Sequence, residues 1–199
     1  VTIGIVLAGS AIVAVLGSMV GLLLGQSSTA KNVLLDSIMN AVTAIPPVAY
    51  LIIFIGIWGN SIPTMMVSLT ASLILRMIKL VKTRTEMEMA KAYIMCAVSS
   101  GASRFRILLG HVLPNIGKEI VRFLCLSCAE MIMAISGFSF IGLTLGDDVI
   151  DWGSMLSSAR SYLGMAPMLL FCPILFIFLS TLSFNILGKK LEKEDRADA

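Results

Sequence analysis

Few side chains in this sequence are of a type and spacing that could do chemistry, and they do not assemble into a catalytic set. His111 is the only histidine, so it has no histidine partner for a metal and reads as a polar residue shaping its segment. Cys125 and Cys128 stand three apart, but neither a second pair nor a nearby histidine completes a metal site. Cys96 and Cys172 are isolated, and the four cysteines read as small, reduced, apolar residues. Gly137-Phe138-Ser139 lacks the following glycine of a nucleophile turn. The thirteen methionines suit apolar gap filling better than a soft-metal path. One group stands out: Glu130, a carboxylate inside an apolar run. A charge at membrane depth is costly and marks a functional position or a structural partner, so Glu130 is a candidate for the translocation path.

The elements that must position these residues are long apolar runs. Hydrophobic residues make up 57% of the chain and charged residues 14%, with a mean hydropathy of +0.95. A soluble domain is nearer a quarter charged. The runs predict an all-α, polytopic bundle of about five spans: Val1–Gly25, Ala41–Gly59, Ser61–Leu80, Phe123–Gly146 and Ser161–Gly188. Val1–Gly25 lacks the basic start of a signal peptide and reads as a span; Gly4, Gly9, Gly17, Gly21 and Gly25 suit close packing in lipid. A polar stretch, Gln26–Asn32, and a helical lead-in, Asp36–Ala44, come next, and Pro46-Pro47 should kink the second span. Pro167 or Pro173 should kink the last, and the charged tail Lys189–Ala199 should fray.

Thirteen of the 15 Lys and Arg residues fall in two patches, nine from Arg76 to Arg122 and four from Lys189 to Arg196. Basic residues beside spans mark the cytoplasmic side, not a nucleic-acid surface. Five spans put both patches on that side, with Arg76 and Lys79 snorkelling to the interface. Segment 82–118 then becomes a cytoplasmic loop with its own helices. Within it Met89, Tyr93, Cys96, Ala97 and Ser100 recur at helical spacing, and Gly101 sits where a glycine ends a helix. By pattern alone this is a short amphipathic helix that either docks a partner or lies on lipid headgroups.

Tyr93-Ile-Met-Cys-Ala-Val-Ser-Ser-Gly101, followed by His111-Val-Leu113-Pro114-Asn115, resembles the cytoplasmic loop motif of ABC importer permeases. That motif has a Glu-Ala-Ala triplet, a glycine, and a later Leu-Pro pair. Met95-Cys96-Ala97 occupies the triplet, so Met95 replaces its Glu. Phe138-Ser-Phe-Ile-Gly-Leu143, Trp152-Gly-Ser-Met-Leu156 and Phe184-Asn-Ile-Leu-Gly188 are similar to later landmarks of the dipeptide, oligopeptide and nickel branch, and Asp36 and Pro46 to earlier ones. Asp147-Asp148 stands where the family has Pro-Pro.

The resemblance covers nearly the whole chain and implies one permease domain over 1–199, preceded in the family by a further span. It implies no catalysis and no cofactor in this chain; Mg-ATP would be handled by separate ABC ATPase subunits. Tyr93, Cys96, Ala97, Gly101, His111 and Pro114 would form the ATPase-coupling segment. A second permease, commonly a different chain, and an extracellular binding protein would complete an importer of peptides or nickel in a bacterial-type inner membrane. Ile135-Ser-Gly-Phe-Ser-Phe140 is closer to the nickel branch. A secondary transporter, a channel and an intramembrane protease are the competing readings; of these, none accounts for the loop motif.

Overall fold

The structure is a computed structural model that describes residues 1–26, 33–143 and 149–197. Among these the chain is helical, without strands. The helices are α1 (Thr2–Gly25), α2 (Val33–Thr43), α3 (Pro47–Trp58), α4 (Ile62–Met89), α5 (Ala92–Ser99), α6 (Arg104–Phe140), α7 (Trp152–Ala159) and α8 (Met168–Ala197). Four, α1, α4, α6 and α8, are long and apolar enough to cross a membrane. The bent pair α2 and α3 could supply a fifth crossing. The stretch after Gln26 and the pair Asp147-Asp148 lie outside the described residues.

The second span differs from the kinked helix expected at Ala41–Gly59. Asp36–Thr43 and Pro47–Trp58 meet at 79°. Pro46 is extended (ψ 144°) and Pro47 opens α3, so the two prolines break the helix outright. The expected lead-in is present as α2.

The basic segment carries helices, as expected of it, but two of them are continuous with the spans. α4 is capped by Ser61, whose Oγ accepts the Thr64 N–H at 3.3 Å, and then runs 28 residues without a break past the last apolar turn. That is about 42 Å, beyond the ~30 Å hydrocarbon core. α6 starts at Arg104, 19 residues before the expected Phe123, and spans 37 residues, about 55 Å. Charged residues at helical spacing extend both helices beyond the bilayer; only 90–103 departs from them.

A widened π turn at Leu108–Val112 precedes Pro114. Proline at 114 lacks an N–H and its ring would press on the Gly110 carbonyl, which lies inside that turn. α6 ends in a Schellman turn, with Gly142 at φ 95° and the Leu143 N–H on the Phe138 carbonyl at 3.0 Å. α8 begins at Met168 rather than Ser161, directly after Pro167, and Pro173 is the proline inside it. Its backbone continues to Ala197 rather than fraying at Lys189, through a tail rich in Lys, Leu and Glu, which are good helix formers.

Lipid tails are as apolar as leucine, so helices in a bilayer are held by close contact and hydrogen bonds. Gly17, Gly21 and Gly25 of α1 supply that contact against α4. A Cβ on each would lie 2.6 Å from Met77 Cγ, Val81 Cβ and Thr85 Cβ in turn. Gly4, expected to share this role, faces open space. At the other end Asp151, 3% exposed, caps α7 by accepting the N–H groups of Gly153 (3.1 Å) and Ser154 (3.2 Å). Gly153 sits against the Ser136 carbonyl and Ser139 of α6, and Trp152 stacks on Phe176 of α8 at 6.0 Å. Two of the quoted landmarks, Phe138–Leu143 and Trp152–Leu156, are therefore spatial neighbours.

Alanine at Gly21 should force α1 and α4 apart and destabilise the protein by about 1–3 kcal/mol, whereas Gly4→Ala should be neutral or slightly stabilising through helix propensity. Thermal unfolding of the two variants in detergent checks this; equal behaviour would show that the seam is slack.

Candidate functional site

α5 is a two-turn helix held at the joint end of α4 and α6. α4 stops at Met89, and Lys91 in extended conformation (ψ 147°) turns the chain into α5. Ile94 anchors it at 1% exposure, and Ala97 and Ala102 pack partly against the same core. Gly101 ends it as the sequence predicts, with φ 82°. The Gly101 N–H reaches the Val98 carbonyl (3.0 Å) and the Ala102 N–H the Ala97 carbonyl (3.1 Å), a Schellman turn.

The expected apolar face does not hold as one face. Met89 belongs to α4, and the break at Ala90-Lys91 interrupts the periodicity that linked it to Tyr93. Met89 and Ala97 turn toward the core, while Cys96 and Ser100 are exposed. The outward face carries Cys96 with Met95 (59% exposed) and Val98 (54%).

A polar latch ties α5 to both long helices. Tyr93 Oη donates to Glu88 Oε1 at the end of α4. Asn115 Nδ2, from α6, donates to Tyr93 Oη (2.7 Å) and to Glu88 Oε1 (3.0 Å). Lys91 Nζ pairs with Glu88 Oε2 at 2.7 Å. Glu88 is buried, so a carboxylate there requires these donors. Burial, and then the adjacent Glu88 carboxylate, push the Tyr93 phenol above its ordinary pKa, which keeps it protonated as the donor. The His111 ring meets Tyr93 edge-on at 6.3 Å from an exposed position in the π turn, and Pro114 is exposed one residue before Asn115. Tyr93, His111 and the Pro114 segment are thus brought together, with Cys96 and Gly101 on the same short hairpin.

Glu130 lies elsewhere on α6. It accepts from Arg76 Nη1 of α4 at 3.1 Å. Arg76 therefore pairs across the bundle instead of snorkelling alone. Three further pairs line α4: Lys82 with Asp36 of α2 (2.6 Å) and with Glu86 (2.8 Å), and Arg84 with Glu119 of α6. Glu88, Asn115, Ile94 and the Arg76 partnership were not singled out by sequence reasoning. Asn115 lies in the quoted motif, but its partners Glu88 and Tyr93 come from separate elements.

These features define a polytopic helical membrane protein with a short helix presented beyond its spans. Residues 4–194 match the family described as binding-protein-dependent transport system inner membrane component. The chain belongs to that family. It is 31% identical over 176 residues to the glutathione transport system permease protein GsiD of Pectobacterium atrosepticum, covering 88% of this chain and 58% of the relative. The proteins of that name from Shigella dysenteriae and Escherichia coli O157:H7 are 31% and 32% identical over 158 residues, covering 79% of this chain and 52% of each relative. The chain spans about half the length of the curated relatives it matches.

Removing the hub hydroxyl by Tyr93→Phe should loosen α5 by about 1 kcal/mol, roughly a fivefold gain in amide exchange. Hydrogen exchange should rise over Ala92–Ser99 and not over Ser68–Ser72 of α4. Unchanged exchange in α5 would mean that Ile94 alone pins it.

Proposed function

We propose that the full-length protein is a permease subunit of an ATP-driven importer, and that α5 docks in a groove of a separate ABC ATPase subunit. The observation that carries this reading is the outward face of Met95, Cys96 and Val98. It is apolar, it is left uncovered by its own chain, and it sits on a helix latched to two helices that continue into the membrane. A push on α5 passes through Glu88 to α4 and through Asn115 to α6, which suits rigid-body rocking between inward- and outward-open states. Segment 82–118 acts as the coupling region of a single permease domain over 1–199. Its basic residues and those of the tail favour a cytoplasmic position for both. Mg-ATP belongs to the ATPase; a second permease subunit and an extracellular binding protein complete the assembly.

The cargo is a small peptide. The support is that the relatives named above are glutathione permeases by name. Nickel, the other cargo implied by the motif resemblance, has no such support among those names.

Val98→Arg places a charge on the outward face without touching the latch. Co-purification of the ATPase with the full-length subunit should fall by roughly tenfold or more, as for a desolvated charge in an apolar contact, while membrane insertion persists. Gly101→Val, which strains the left-handed position, should weaken co-purification as well. Normal ATPase retention in both variants would reject the docking role.

A further inference from the structure

Beside the Arg76–Glu130 pair lies an open cleft of about 590 Å³, lined by Thr43, Arg76, Lys79, Arg84, Met87 and Phe123 among others. Its size is within the ~300–1,000 Å³ usual for small-molecule sites. Three cations line it. Arg76 is paired with Glu130 and Arg84 with Glu119. Lys79 donates only to the Thr43 hydroxyl, at 3.4 Å, and has no carboxylate partner among the described residues. Among the described residues the cleft therefore carries one uncompensated positive charge.

Its charges do not suit a wall that faces hydrocarbon. Arg76 and Glu130 lie within the candidate spans, yet their side chains are 27% and 45% exposed. Exposing such a pair to hydrocarbon is costly, and charges at this depth face a water-filled path or a protein partner. The cleft adds apolar walls, Met87 and Phe123, to cationic donors, the combination that suits a small anionic organic molecule.

We infer that this cleft lines the solute path and binds a carboxylate of the transported solute, with Lys79 as its charge partner. The inference rests on the permease reading above and deepens it: the cargo is a peptide carrying a free carboxylate. Arg76 and Arg84 are neutralised by their own pairs, so the net positive charge is that of Lys79, whose ammonium Thr43 positions.

The test uses the full-length chain assembled with its partner permease and ATPases in liposomes, with its native cysteines replaced. A cysteine is placed on the cleft wall by Thr83→Cys or, separately, Met87→Cys. Its reaction with an anionic, water-soluble thiosulfonate is followed with increasing trialanine or trialanine amide, in zwitterionic lipid and with added phosphatidylglycerol. Both cysteines should react from water. Trialanine should protect them at concentrations lower by roughly tenfold or more than its amide, as expected for a charge-assisted hydrogen bond, and Lys79→Gln should abolish the difference. Equal protection by both peptides, protection that survives Lys79→Gln, or slowing only by phosphatidylglycerol would overturn the inference. Retention of the ATPase is scored separately in the same preparation: its loss counts against the permease reading, whereas the labelling pattern reports on the cleft.

Discussion

Everything beyond the membrane depends on how closely α1 can approach α4. Water drives apolar surfaces together in a soluble core, but lipid does not. Helix contact must come from fit. Gly17, Gly21 and Gly25 remove the side chains that would separate α1 from Met77, Val81 and Thr85. This contact fixes the half of α4 that leaves the bilayer, and α4 in turn carries Glu88, the anchor of the α5 latch. A looser seam would let the stalk of α4 bend, and force on α5 would dissipate before it reached the spans.

Charge does the complementary work. Four ionic groups on α4 are matched to neighbouring helices: Arg76 to α6, Lys82 to α2, Arg84 to α6, Glu88 to α5 and α6. Pairs of this kind contribute little net stability where water reaches them. They are directional, however, and breaking a buried one leaves a charge without compensation. They specify which helices move together. Lys79, matched only by a hydroxyl among the described residues, is the exception on which the cleft depends.

The residues reveal some of this architecture and conceal the rest for physical reasons. Apolar run length located all four long helices, and one glycine at the right offset located the end of α5, because both signals are local. The two prolines announced a kink at Pro46-Pro47 but not a 79° break, since the bend angle is set by what α3 packs against. The stretch read as a loop with its own helices instead prolongs two spans, because helix propensity continues where hydrophobicity stops. The pairing of Glu130 with Arg76, 54 residues away, and the Asn115 bridge to Glu88, 27 residues away, are tertiary facts with no local signature. Ile94 went unnoticed because a small-residue face looked like the contact face; the structure uses the larger side chain as the anchor.

The chain itself carries a reporter for the central claim. Cys96 is exposed on α5; Cys125 and Cys128 are buried, and Cys172 lies in the apolar α8. A water-soluble thiol-to-amine crosslinker applied to the assembled transporter in membranes therefore reads the surroundings of Cys96 most directly. The account predicts a crosslink from Cys96 to the ATPase subunit, lost on Cys96→Ser and altered in yield when ATP closes the ATPase pair. A Cys96 that is freely modified in the assembled complex but never joins the ATPase would contradict it.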